Sequence, residues 1–170
     1  GIKLYKSNDN TVIDNTASLN SDFGIRLFNS NNTIISNNTV TSNSRYGIYL
    51  DHSTNTTLSN NNMSNNRFNF GIEANSLLDY VQNIDLSNTV DGKPVYYWIS
   101  QSSKQVPADA GYVAIINSTN ITVKNLILTK NEHGVLIAYT NNTLLEHITT
   151  SNNHYGIYLD YSSGNNITKN

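Results

Sequence analysis

Three observations predict an all-β chain wound into a right-handed, single-stranded parallel β-helix. A glycine followed by an apolar-x-apolar triplet recurs along the chain. The segments between copies are short, β-branched and punctuated by Asn, Ser and Thr. Helical spacing is sustained nowhere. The copies are GIKL at Gly1, GIRL at Gly24, GIYL at Gly47, GIEA at Gly71, GVLI at Gly134 and GIYL at Gly156, with a looser GYVAI at Gly111. Intervals of 23, 23, 24, 40, 23 and 22 residues give about seven coils of 22–24 residues and one insertion. Leucine-rich repeats share this length, but their dense Leu consensus is missing.

Each coil supplies three short strands and three polar corners, and each residue sits about 4.8 Å above its counterpart one coil away. Columns of like residues follow. Phe23, Tyr46, Phe70, His133 and Tyr155 precede the glycines as a stack of rings. Val12, Ile35, Leu58, Val81, Val123 and Leu145 form a mid-coil apolar column. Asn15, Asn38, Asn61, Asn83, Asn125 and His147 read as an inward polar ladder, amide bonded to amide. Ala17, Val40, Met63, Ile84, Leu126 and Ile148 follow as small core residues. The hexapeptide YGIYLD occurs twice, at 46–51 and 155–160, because two coils need the same corner and strand. The handedness rule for parallel crossovers makes the coil right-handed.

The chain reads as a single β-helix domain over residues 1–170, with an insertion at about 90–110. Both prolines, Pro94 and Pro107, and the single tryptophan, Trp98, lie in that insertion. Asp91-Gly92 signals a tight turn, and the following YYW reads as a strand lying against the helix flank. The terminal coils carry no polar cap in the sequence, which predicts a segment of a longer chain or a subunit that stacks end to end.

Composition narrows the function classes. The net charge is −2 and only 13% of residues are charged, so no basic patch recruits nucleic acid. No apolar run is long enough to span a membrane. Asparagine numbers 31, yet 37% of residues are hydrophobic and regularly spaced, which argues against disorder. Cysteine is absent, so neither a disulfide framework nor a thiolate metal site is available.

The stretches YGIYLD, NNTIISNNTV, NITVKNL and above all NTVDGKPVYYW followed by VPADAGYVAIINSTNITVKNL resemble the NosD-like proteins, over essentially all 170 residues. Their pectin-lyase-like β-helix is called a carbohydrate-binding and sugar hydrolase (CASH) domain. The stretches also look like Asn-rich repeat proteins of archaeal cell surfaces. The resemblance implies a right-handed β-helix and export, and it connects the chain with sugars and with copper handling.

Candidate sites follow from the outward positions after each glycine. Lys3, Arg26, Tyr49 and Glu73 form one expected column, with Tyr5, Phe28, Asp51 and Asn75 beside it. Asp51 and Glu73 then lie one coil and two residues apart, about 8 Å, within the carboxyl spacing of an inverting glycosidase. Arg26, Tyr49 and Trp98 are the candidate sugar contacts. His133 and His154, near one corner of adjacent coils, are the candidate metal ligands, although one methionine and no cysteine leave soft copper ligands scarce. Asn31, Asn55, Asn117, Asn120, Asn141 and Asn166 begin N-x-S/T sequons open to glycosylation after export. No cofactor is implied.

The leading expectation is a non-catalytic, extracellular cell-surface scaffold. Its partners are copies of itself or neighbouring coils of a longer chain, with cell-surface glycans as a further class. The alternatives are a carbohydrate-binding or polysaccharide-processing domain, and a periplasmic metal-handling protein of the NosD kind.

Overall fold

The computed structural model describes residues 1–170. It is a parallel β-solenoid in two segments, joined by one antiparallel hairpin. In the first segment, β1 (Ile2–Tyr5), β4 (Ile25–Phe28), β7 (Tyr46–Asp51) and β10 (Phe68–Glu73) stack as one face. A second face holds β2 (Thr11–Ile13), β5 (Ile34–Ser36), β8 (Thr57–Ser59) and β11 (Asn83–Ile84). The third holds β3 (Thr16–Ser18), β6 (Thr39–Thr41), β9 (Asn62–Ser64) and β12 (Thr89–Val90). The second segment stacks β13 (Lys93–Ile99), β14 (Tyr112–Ile116), β16 (His133–Ala138) and β18 (Tyr155–Asp160) in one sheet. Beside it lies a sheet of β15 (Thr122–Thr129), β17 (Leu144–Ser151) and β19 (Asn166–Thr168).

Four stacked strands in each segment make eight turns, one more than the glycine count suggests. The extra turn is the stretch read as an insertion. Val95 pairs with Tyr112, Ser102 with Thr119 and Gln105 with Thr122, so residues 95–111 form a short turn of 17 residues. The interval of 40 is therefore an ordinary turn plus a short one.

The first segment is held by side-chain ladders at its corners. Asn38 Nδ2 and backbone N–H both donate to Asn61 Oδ1, and Asn61 does the same to Asn88 Oδ1. Asn43 repeats the pattern on Asn66 at the next corner. Each amide also donates to main-chain carbonyls, as Asn61 does to Ile35 at 2.8 Å, so these buried polar groups are satisfied. At the third corner, Ser7, Ser30 and Ser53 relay backbone N–H to hydroxyl from coil to coil.

Two register details differ from the sequence reading. In the fourth turn the short helix α1 (Leu77–Tyr80) is inserted after Glu73, its first turn held by the Asp79 carboxylate accepting from the Ser76 N–H. The helix displaces the columns that follow. Ile84, not Val81, stacks on Leu58; Asn88, not Asn83, continues the ladder; and Val90, not Ile84, stacks on Met63. Earlier in the same turn, Gly71 aligns with Tyr49 rather than with Gly47, a shift of two residues. Phe68 therefore joins the ring stack, 5.2 Å from Tyr46, while Phe70 turns into the core.

The hairpin reverses more than chain direction. Asp91 (φ 47°) and Gly92 (φ 78°) form the predicted two-residue turn between β12 and β13. Directly opposed residues of an antiparallel pair point to the same face. Val90 opposes Lys93, so Val95 and Tyr97 continue the face that lines the first core. Thr89 opposes Pro94, so Tyr96 and Trp98 continue the face that was outside. The core assignments agree: Val95, Tyr97, Tyr112, Ala114 and Leu136 pack with Phe70, Ile72 and Tyr80, whereas Tyr96, Val113, Ile115 and Val135 line a second core. Reversing both the strand direction and the side that holds the core leaves the hand of the coil unchanged. The β13–β14–β16–β18 sheet thus closes the end of the first segment with one face and walls the second with the other. YYW lies in this doubly covered sheet, not against a flank.

Candidate functional site

The outer face of β4, β7 and β10 carries a chain of charged and aromatic groups. Lys3, Arg26, Tyr49 and Gly71 align in one column, and Tyr5, Phe28, Asp51 and Glu73 in the next. Asp51 and Glu73 are therefore direct neighbours on adjacent strands, not offset by two residues, because of the shift at Gly71. That corrects the spacing on which the glycosidase expectation rested. Asp51 is only 3% exposed. Its two oxygens are engaged by Arg26 Nη2 at 2.5 Å and His52 Nδ1 at 2.6 Å. The Arg26 guanidinium stacks on Phe23 at 4.7 Å and Phe28 at 5.4 Å. Burial works against a charge on His52, but the hydrogen bonds to Asp51 and Asn75 and the charges of Asp51 and Glu73 together outweigh it and raise its pKa.

Tyr49 donates its hydroxyl to Glu73 Oε2 at 2.5 Å. Burial first, and then the Glu73 carboxylate, push that phenol far above its ordinary range. The ring has room because residue 71 lacks a side chain. A Cβ there would lie 2.8 Å from the Tyr49 ring and 2.9 Å from both Glu132 Cβ and the Tyr46 ring.

Glu132 belongs to the second segment, so this contact marks where the two meet. Between them lies a cavity of about 250 Å³. Tyr46, Tyr49, Glu73 and Tyr80 line it from the first segment, and Glu132, His133, His154, Tyr155 and Tyr158 from the second. His154 Nδ1 meets Glu132 Oε1 at 2.8 Å. Glu132 Oε2 and His133 Nδ1 are buried without any partner. Burial raises the Glu132 pKa against the opposing pull of His154, and burial drives the His133 imidazole down to about 3. The His133 ring stacks on Tyr155, 5.7 Å between centroids, and lies tilted against Tyr158 at 4.8 Å.

Of the sequence candidates, the fold brings Tyr49, Glu73, His133 and His154 to one cavity, with Arg26 and Asp51 behind it. Trp98 lies elsewhere, in a shallow depression with Ile84, Leu86 and Tyr97. Glu132, Tyr46, Tyr80 and Tyr158 were missed. One signal was available: the position before the ring column holds Asp22, Arg45, Glu132 and His154, a cluster of charge in a chain with little of it. Asn125 and His147, read as inward ladder members, are exposed corner residues with φ of 56° and 52°. Asn55, Asn117, Asn120, Asn141 and Asn166 of the sequons are exposed, and Asn31 is half-buried.

Residues 1–110 match the family described as right-handed beta helix region, and residues 78–170 match the one described as periplasmic copper-binding protein (NosD). The chain belongs to these two β-helix families. No curated protein and no solved structure matches it. Copper does not fit the residues present in this NosD-family chain. No group of three or more His, Cys, Asp or Glu is arranged to hold a metal ion, Met63 is fully buried, and His133 is packed among tyrosines. No helix is long and apolar enough to cross a membrane.

Proposed function

We propose that this solenoid works outside the cytoplasm as a rigid, non-catalytic scaffold module. One observation carries the reading: β14 and β16 are buried along their whole length, one face in each core, so the two segments form a single stiff body. The periplasmic description of the NosD family supports export. The exposed sequons are then positions for glycans on a surface facing outward. The polysaccharide-processing alternative has less support, since Asp51 is closed off and bonded on both oxygens.

Incubation with a panel of soluble polysaccharides tests this, with reducing-end release as the readout and Glu73→Gln as the control. No turnover is expected from either protein. Turnover by the native chain that disappears in Glu73→Gln overturns the scaffold reading.

A further inference from the structure

We propose that the chain carries N-linked glycans on one side only. Asn37 and Asn62 are acceptors on and beside the third face, while the outer face of β4, β7 and β10 stays free of sugar. The proposal rests on the reading of the chain as a module outside the cytoplasm.

The placement of the sequons is one-sided. Asn37-Asn38-Thr39 and Asn62-Met63-Ser64 are N-x-S/T sequons beyond those at Asn31, Asn55, Asn117, Asn120, Asn141 and Asn166. Thr39 pairs with Asn62, so both sequons lie on neighbouring strands of the third face. The outward residues around them, Thr16, Ser18, Thr41 and Thr89, are uncharged. In the second segment Asn117 and Asn141 lie just past the Ile116 and Ala138 ends of β14 and β16, whereas the cavity lies at the His133 end. No sequon falls on β1, β4, β7 or β10, or at the corners 19–23, 42–46 and 65–68 beside the ring stack. Asparagine is present there all the same. In Asn20-Ser21-Asp22 and Asn43-Ser44-Arg45 the hydroxyl stands one place too early.

The direction of the side-chain amides divides the molecule the same way. A glycan survives folding only where the Asn nitrogen stays in water. Asn37 is an exposed corner residue (φ 55°), and the buried ladder runs through Asn38 beside it. Asn62 Oδ1 accepts from Thr89 at 3.2 Å and Asn141 Oδ1 from the Ser163 N–H at 3.0 Å, which leaves Nδ2 of both exposed residues free. Asn55, Asn117 and Asn120 donate Nδ2 to an exposed side chain one coil back. A glycosylated nitrogen keeps one of its two N–H groups for such a bond. On the other side the nitrogens are spent inward. Asn43 donates to the Ala17 carbonyl, Asn66 to Val40, Asn131 to Gly111 and Asn153 to Leu128. A sugar on any of these would displace bonds the interior needs.

The donor is a polyprenyl-phosphate-linked oligosaccharide of the exporting cell. Asn Nδ2 bonds to C1 of the first sugar and loses a proton, and the polyprenyl phosphate leaves with the bonding electrons.

Glycopeptide mass spectrometry of the full chain from its native cells tests this, with protease shaving of intact cells to report its location. Sugar is expected on the peptides holding Asn37 and Asn62, and none on those holding Asn20, Asn43, Asn66 or Asn153. Thr39→Val and Ser64→Ala alter outward positions and keep each acceptor Asn, so each should remove one glycan from the intact mass. A surface-located chain lacking sugar at Asn37 or at Asn62 overturns the inference and leaves the scaffold reading standing. So does sugar on any of the four asparagines of the other side, or a glycan that persists in Thr39→Val or Ser64→Ala. A chain confined to the cytoplasm overturns the export reading, and the inference with it.

Discussion

The two segments solve one problem, turning a strand through a corner, with different numbers of residues. In the first, the corner after the mid-coil apolar residue takes two: a left-handed residue such as Asn37 (φ 55°) or Asn60 (φ 53°), then an inward Asn38 or Asn61. In the second it takes one, Asn125 or His147, and the chain returns at once to an apolar residue. The ladder bonds accordingly span 23 residues in the first segment and 22 in the second. Omitting the inward Asn lets pairing continue through the bend, so β15 and β17 run for eight residues where β5 and β6 have three each. A buried amide ladder is thus one way to fill a corner, and a tighter turn with no polar interior is another.

Substitutions at the corners should separate the two solutions most sharply. Asn61→Ala strips the acceptor from Asn38 and leaves buried main-chain groups unpaired. The expected loss is about 4 kcal/mol, at roughly 1–3 kcal/mol per group. Asn125→Ala only replaces a residue that tolerates the left-handed region with one that does not, and should cost about 1 kcal/mol. Urea unfolding of both variants measures the difference, and equal losses would erase the distinction between the corners.

Acid should act on the segments with opposite sign. His133 in the second has its pKa lowered to about 3, so the unfolded chain binds a proton that the folded one refuses. Its contribution is complete above about pH 6.5 and is lost as pH falls toward 3, by up to about 1.4 kcal/mol per pH unit. His52 in the first is raised, so its contribution is complete below pH 6.5 and is lost as pH rises through the higher folded value. Glu132, also raised, offsets part of the His133 loss at the acid end. His133→Phe should flatten the decline between pH 6.5 and 5 in urea midpoints. An unchanged decline would place the acid sensitivity elsewhere.

A smaller contrast lies within the shared sheet. Tyr97 donates to the Tyr80 carbonyl at 2.6 Å across the two segments, whereas the Tyr112 hydroxyl is buried with no partner. Tyr97→Phe should lose about 1 kcal/mol, and Tyr112→Phe should be neutral or gain about as much. Thermal unfolding reads both, and a loss in Tyr112→Phe would mean that its hydroxyl has a partner after all. The smallest effect is expected at Gly92. A Cβ there meets nothing within 4 Å, so Gly92→Ala should cost about 1 kcal/mol or less, from the positive φ alone.

Much of the architecture was legible in the residues. The glycine period, the Asn columns up to Asn61 and the Asp91-Gly92 turn each rest on local chemistry: stacking at one-coil spacing, amide pairing and positive φ. The site was half legible. Tyr49, Glu73, His133 and His154 were singled out, but as members of three separate readings. Their meeting depends on residues 46–80 and 132–158 facing one another across the junction, and no local pattern encodes that distance.

By itself the sequence determined the coil, its period and its hand, because alternation and corner chemistry repeat within each turn. Only the tertiary structure decided which face of β13, β14 and β16 lies in which core. Period-two alternation marks an inside and an outside only when one side meets water. These strands are apolar on both faces, so inside and outside exchange at a hairpin that alternation cannot register. The same exchange turns the second segment's sheet onto the end of the first, and it leaves the Glu132 cavity between them.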